Sequence, residues 1–212
     1  MVRTTAGALA ALAVVLVLTG CGSEQPESSP SMTAPTTTAL PTPIPTPTVE
    51  VPVAAATPAP ARTPQPPVRV VAASLGVEVP VVPVGVEQGG FMELPVDPAV
   101  AGWYRFGSDP TSTDGNVVIS AHVDAPGYPI GPFSRLRELV AGDIVEVADA
   151  AGATHRYAIE SVTYFPKADL PVEELFARTG TKALVLITCG GEFDATTGRY
   201  ADNVVAIATP LP

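Results

Sequence analysis

Residues 182–200 read KALVLITCGGEFDATTGRY, and the rest of the chain is best interpreted outward from them. The apolar run 183–187 is rich in strand-forming residues and leads to Cys189. This pattern predicts a buried β-strand that carries a cysteine at its carboxyl end. Gly190-Gly191 predicts a turn directly after the cysteine, followed by a short loop and Arg199. The function of the chain therefore depends on which other side chains meet Cys189.

The other cysteine, Cys21, ends a segment typical of an export signal. Arg3 supplies a positive charge, and the apolar run 7–18 is shorter than the roughly 20 residues that span a bilayer. Leu18-Thr19-Gly20-Cys21 resembles the lipobox of bacterial lipoproteins, in which the cysteine is lipidated and becomes the first residue after cleavage. We expect a lipoprotein signal peptide over residues 1–21 and a chain anchored to the outer face of the bacterial cell membrane by lipidated Cys21. Ordinary signal cleavage, which leaves a free thiol, is the alternative.

Residues 22–67 consist mainly of Pro, Thr, Ser and Ala, and predict a disordered linker. The segment 41–48, PTPIPTPT, consists almost entirely of Pro and Thr. The composition offers no period of apolar residues that could build a core. The linker is therefore expected to hold the domain that follows it above a lipid surface.

The formal net charge of −10 argues against a nucleic-acid partner, because nucleic acids select basic surfaces. It also argues against electrostatic adhesion to anionic lipid. The acidic residues Asp143, Glu146, Glu192 and Asp194 do not form a convincing metal-binding set. We therefore predict neither a metal ion nor another cofactor.

Residues 68–212 have the pattern of a mostly β domain. Short β-branched runs alternate with turn signals, and we expect strands over residues 68–71, 77–84, 91–95, 103–106, 116–122, 144–147, 154–165, 184–189 and 200–209. Helix is expected only over residues 133–139 and 171–177. This pattern of about eight strands with one or two short helices is typical of a closed barrel.

His122, one of two histidines, lies at the end of an apolar strand run, as Cys189 does. Side chains at strand ends can meet over a shared cleft. The pKa of a free thiol is about 8.5, and the thiolate is the form that attacks a carbonyl carbon, so an imidazole nearby can hold the proton and return it to a leaving amine. The guanidinium of Arg199 could then stabilise the oxyanion. A core histidine, an inert thiol and a surface arginine fit the same residues.

Two motifs resemble those of the sortases: VVISAHVD at residues 117–124 and LITCGG at residues 186–191. The sequence resembles more narrowly the actinobacterial class F group, in which TCGG and a later Asp-Asn-Val-Val recur, here Asp202-Asn203-Val204-Val205. The resemblance covers roughly residues 68–209 and implies an eight-stranded barrel. It also implies a cysteine transpeptidase that cleaves an LPxTG-like sorting signal of surface proteins after its Thr. The Thr is held as a thioester and passed to an amine of a peptidoglycan precursor or a pilin.

By motif position, the resemblance implies that Cys189 is the nucleophile and His122 the acid/base. Class F relatives are expected to carry an arginine directly before Asp-Asn-Val-Val, where this chain has Ala201. Because residues two apart on a strand face the same side, Arg199 is expected to take the oxyanion-stabilising role. The competing hypothesis is a catalytically weak sortase-fold lipoprotein that binds a peptide or wall fragment.

Overall fold

A computed structural model describes residues 62–212. The predicted signal peptide, the lipidation site Cys21 and most of the predicted linker lie outside the described residues. Within the described part, no helix combines the length and the apolar character needed to cross a membrane.

Eight strands close into a barrel, in the order β1-β2-β3-β4-β7-β8-β6-β5, with β5 pairing back onto β1. Neighbouring strands are antiparallel except for β2 with β3 and β4 with β7, which are parallel. The strands are β1 (Pro67–Ala72), β2 (Val77–Val84), β3 (Ala101–Tyr104), β4 (Asn116–Ser120), β5 (Ile144–Asp149), β6 (Thr154–Pro166), β7 (Ala183–Asp194) and β8 (Arg199–Pro210). The prediction of a mostly β, eight-stranded barrel is confirmed.

Helical structure is confined to short segments between the strands. The one α-helix in the described residues is α1 (Val172–Leu175), and 3₁₀ turns cover Ala73–Leu75, Pro132–Glu138 and Lys167–Asp169. The two segments expected to be helical, 133–139 and 171–177, therefore contain the two longest helical stretches. Both lie over the barrel, where Phe133 and Leu175 are buried.

Strands β4 and β7 are covered on both faces, which explains their unbroken apolar sequences. Their inward side chains, such as Ile119 and Leu186, belong to the barrel core. Their outward side chains, such as Val118 and Val185, pack in a second cluster that includes Leu175 of α1. The two strands that lead toward His122 and Cys189 are therefore held rigidly from inside and outside.

Two local predictions were wrong. Residues 91–95 form no strand, only a single bridge between Val86 and Met92, and Phe91 is 71% exposed, so no packing stabilises a longer pairing. Gly190-Gly191 is not a turn, because β7 continues to Asp194 and the reversal comes at residues 195–198. The glycines instead form a bulge, where the pairing shifts between Gly190 and Phe193.

Candidate active site at the ends of β4 and β7

The parallel pairing of β4 with β7 brings His122 and Cys189 to the same edge of the barrel. Ser120 lies opposite Ile187, so His122 and Cys189 each lie two positions beyond this pair, His122 just after β4 and Cys189 within β7. Neighbouring strands lie about 4.8 Å apart, so the backbone segments that carry the two residues are close to each other.

Three hydrogen bonds fix this alignment just before the candidate residues. The Ser120 hydroxyl and the Ala121 amide donate to the Ile187 carbonyl, at 2.9 and 3.2 Å. The buried Thr188 hydroxyl donates to the Ala121 carbonyl at 2.8 Å. The residue before the cysteine is thus bonded directly to the residue before the histidine.

Cys189 is partly exposed and lies on the outer face of the sheet, on the same side as Ile187. Its register partner on β8 is Asn203. Lys167 donates a hydrogen bond to the Cys189 Sγ at 3.5 Å and another to the Asn203 Oδ1 at 3.2 Å. In the described structure the sulfur therefore accepts a hydrogen bond from a lysine ammonium rather than from His122.

Lys167 and Asn203 are not among the site residues predicted from the sequence. Asn203 belongs to the Asp-Asn-Val-Val motif, and this motif could have identified it as a site residue from the sequence. Lys167 follows β6, and its proximity to Cys189 depends on β6 pairing Phe165 with Asn203 across β8. That long-range register cannot be derived from local sequence.

His122 is half-buried, and burial lowers its pKa below the ordinary value of 6.5. The carboxylate of Asp124 acts in the opposite direction and offsets part of this effect. The imidazole is therefore mostly uncharged at neutral pH, which suits a group that must first accept a proton.

Asp124, two residues after His122, has a hydrogen-bond partner across the site. The Tyr200 hydroxyl donates to the Asp124 Oδ2 at 2.7 Å. This bond joins the His loop (residues 121–131) to the β7–β8 hairpin (residues 189–203). The pKa of Tyr200 is raised to about 12 by this hydrogen bond, by desolvation and by the nearby Asp124 and Cys189. The hydroxyl consequently stays protonated and keeps donating.

The two glycines after Cys189 are required by close packing against β8. A Cβ on Gly190 would lie 2.5 Å from Val204 Cγ2. Gly191 has a φ of 76°, and a Cβ there would collide with the Asp202 carboxylate. Glycine at both positions allows the bulge to form directly beside the nucleophile.

Arg199 lies at the first position of β8, paired with Asp194 beside the hairpin turn, and is exposed. It lies four residues along the strand from Asn203, a separation of about 13 Å between Cα atoms. Its oxyanion-stabilising role stays a prediction. Within residues 62–212, no three His, Cys, Asp or Glu side chains are grouped to hold a metal ion.

This edge of the barrel carries three groups suited to catalysis. They are an accessible thiol, an imidazole that can carry a proton, and a lysine ammonium that is hydrogen-bonded to the sulfur. These are the parts needed for a thioester route in acyl transfer. The Tyr200–Asp124 hydrogen bond links the loop after β4 to the hairpin that carries the thiol.

Comparison with known proteins identifies the family. The family model described as a sortase domain matches residues 70–211, which is more than half of the chain. Among curated proteins, none matches the sequence significantly.

Several solved sortase structures share the fold. Sortase C2 of Group B Streptococcus Pilus Island 1 is 19% identical, with a TM-score of 0.52 over 68% of this chain and 73% of that one. Sortase C-1 of Actinomyces oris is 19% identical, with a TM-score of 0.50 over 68% of this chain and 73% of that one. Sortase C-1 of Streptococcus pneumoniae is 21% identical, with a TM-score of 0.52 over 68% of this chain and 66% of that one. At these identities the likeness concerns the fold alone.

Proposed function

This chain belongs to the sortase family, and we propose that it is a cysteine transpeptidase that cleaves an LPxTG-like sorting signal of surface proteins. The observation that carries the proposal is the β4–β7 register, in which the residues before the two candidates, Ala121 and Thr188, are hydrogen-bonded to each other and Cys189 is partly exposed. This arrangement supports a thiol and an imidazole that act together.

The reaction follows from the groups at the site. His122 first accepts the thiol proton of Cys189. The resulting thiolate attacks the carbonyl carbon of the Thr–Gly bond, and a C–S bond forms while the carbonyl π electrons move to oxygen. The tetrahedral oxyanion collapses, the C–N bond breaks, and His122 in its protonated form gives its proton to the leaving amine. An acceptor amine then attacks the thioester and returns a proton to His122, and Cys189 leaves as thiolate.

The acceptor is proposed to be an amine of a peptidoglycan precursor or a pilin subunit. Assignment to class F is also part of the proposal, and the pairing of two motifs supports it. Cys189 of TCGG lies directly opposite Asn203 of Asp-Asn-Val-Val, so the two motifs form one surface beside the thiol.

A peptide library tests the activity. The full chain is incubated with peptides that vary the five positions of the LPxTG pattern, with and without a soluble amine, and products are identified by mass spectrometry. We expect cleavage after Thr, an amine-linked product, and no product from Cys189→Ala. Cleavage by Cys189→Ala would contradict the mechanism. Absence of cleavage by the wild type across the library would favour the alternative, a peptide-binding lipoprotein of weak activity.

The cellular location is proposed to be the outer face of the cell membrane, through lipidated Cys21. The support is the Leu18-Thr19-Gly20-Cys21 sequence and the Pro/Thr-rich segment after it. Partition of the expressed full chain into detergent, compared with Cys21→Ser, tests this directly. Detergent partition that is unchanged in Cys21→Ser would contradict it.

A further inference from the structure

We propose that Lys167 is a catalytic residue of this site, whose ammonium stabilises the Cys189 thiolate and the oxyanion that forms on its substrate. The oxyanion part rests on the proposed function, whereas the thiolate part can be tested without any peptide.

The position of Lys167 follows from strand register. Phe165 of β6 and Cys189 of β7 both pair with Asn203 of β8. The 3₁₀ turn that ends β6 begins at Lys167, so its side chain leaves the sheet next to Asn203. The two hydrogen bonds of its ammonium, to Sγ and to the Asn203 Oδ1, fix its end between these groups.

Both hydrogen bonds of Lys167 are exposed to solvent, so they contribute little to the stability of the barrel. Lys167 is exposed, and both bonds lie at the surface. Its partner Asn203 is a neutral amide, so the contact is not an ion pair that holds two elements together. The placement instead puts the positive charge of the Lys167 ammonium beside the Cys189 sulfur, the atom that must become negative before it attacks.

The other charged groups around Cys189 do not supply this charge. His122 lies just after β4 and is mostly neutral, because burial lowers its pKa. On β8, Asp202 is acidic and Tyr200 donates to Asp124. Arg199 lies beside the hairpin turn, paired with Asp194. Arg137 is near enough to act on the pKa of Tyr200, but it is not the cation that is bonded to the sulfur. Among the described residues, Lys167 is the cation whose nitrogen contacts the sulfur.

One ammonium can act at both stages. Before attack it favours the thiolate over the thiol by charge attraction. After attack the negative charge is on an oxygen bonded to the carbon that the sulfur has joined, still beside the Nζ. The ammonium has three N–H donors, so one can turn to the oxyanion while another stays on Asn203. Lys167 keeps its proton throughout, so the proton balance through His122 is unchanged.

The thiolate part is tested by alkylation with iodoacetamide at pH 7. The full-length protein is digested with trypsin, and alkylation of Cys189 is followed on the peptide 183–199, which separates it from Cys21. We expect the Lys167→Met rate to fall about tenfold, and Lys167→Arg to recover part of it. The matched control is Arg156→Met, which removes an equal charge from an exposed pair with Glu146 and should leave the rate unchanged. A wild-type rate in Lys167→Met would overturn this part.

The oxyanion part is tested by acylation with the sorting-signal peptide that the library identifies. Loss of one oxyanion donor costs on the order of 10²–10³ in rate, so Lys167→Met should lose more in acylation than in alkylation. The acylation rate of Arg199→Ala is measured in the same assay. If Arg199→Ala loses more than Lys167→Met, the oxyanion role belongs to Arg199 and that part of the inference is overturned. If no peptide is cleaved by the wild type while alkylation still depends on Lys167, the proposed function fails and the thiolate role stands.

Discussion

Tyr200 and Asp124 are joined by a hydrogen bond of 2.7 Å across the candidate active site. Asp124 follows His122 by two residues, and Tyr200 lies on the hairpin that carries Cys189. The ring of Phe193 packs on Tyr200 at 5.0 Å between centroids, which steadies the donor. The bond therefore connects the segment that holds the acid/base to the segment that holds the nucleophile.

Tyr200→Phe should loosen both segments without unfolding the barrel. A hydrogen bond to a charged group contributes about 1.5–3 kcal/mol, and its loss lets the His loop and the hairpin open more often. We expect faster amide hydrogen exchange over residues 124–131 and 193–200, measured by mass spectrometry. Tyr128→Phe removes the hydroxyl of an exposed tyrosine in the same loop and is the matched control. Equal exchange in the two variants would contradict a bridging role.

His122 should titrate below 6.5, because burial lowers its pKa. Asp124→Asn removes the group that raises this pKa and should lower it further. Proton NMR of the imidazole signals measures both values, with His155→Gln to assign the two histidines. A His122 pKa above 6.5, or one that rises in Asp124→Asn, would contradict the assigned electrostatics.

The same shift has a consequence for stability. Because folded His122 binds its proton more weakly than the unfolded chain does, its contribution to the free energy of unfolding decreases as pH falls from 6.5 toward the folded pKa. His122→Gln should flatten this part of the stability curve, measured by denaturant unfolding between pH 5 and pH 8. If the free energy of unfolding of His122→Gln changes with pH as steeply as that of the wild type, a group other than His122 causes the pH dependence.

Thr188→Val should disturb the alignment of His122 with Cys189. The variant leaves the Ala121 carbonyl without the hydroxyl that donates to it at 2.8 Å, in a buried position, at a cost of about 1–3 kcal/mol. We expect a lower melting temperature and a lower acylation rate. Thr188→Ser keeps the hydroxyl and should retain the rate, so equal rates in the two variants would rule out an aligning role.

Arg62 should stabilise the domain from outside the site. It donates to both carboxylate oxygens of Asp109, at 3.0 and 2.5 Å, and Asp109 is only 2% exposed. Because Arg62→Ala leaves a buried carboxylate without its cation, we expect a loss of about 1–3 kcal/mol in the free energy of unfolding, with alkylation of Cys189 unchanged.

Arg69→Ala is the comparison for that variant. Its pair with Glu78 is exposed on both sides, and such pairs contribute about 0–1 kcal/mol. Denaturant unfolding of the two variants side by side measures the difference. If Arg62→Ala is no less stable than Arg69→Ala, the buried bridge does not stabilise the domain.

The strands could be predicted from sequence where packing determines them. Runs such as 117–119 and 184–187 are apolar because both faces of β4 and β7 are covered, so composition alone revealed them. Residues 91–95, FMELP, are interrupted by Glu93 and Pro95 and pair only through the single bridge at Met92. Gly190-Gly191 predicts a turn because a positive φ serves turns and bulges alike, and only the pairing with β8 separates the two.

The candidate site was predictable only in part. His122 and Cys189 each follow an apolar run, a signal available in the sequence. Lys167 could not be found that way, because it reaches Cys189 through β6 and β8, whose pairing is not encoded locally. Asp124 and Tyr200 are separated by 76 residues and meet only through the folded barrel.

The thioester on Cys189 tests the central claim most directly. The full chain is mixed with the intact sorting-signal peptide that the library identifies as a substrate, and the reaction is quenched in acid. The protein is then digested with trypsin, and the peptide 183–199 is analysed by mass spectrometry. We expect this peptide to carry the added mass of the substrate up to its Thr, and hydroxylamine to remove that mass. The adduct should be absent from Cys189→Ala and accumulate more slowly in Lys167→Met. Turnover of the peptide with no adduct on Cys189, or an adduct on another residue, would contradict the account.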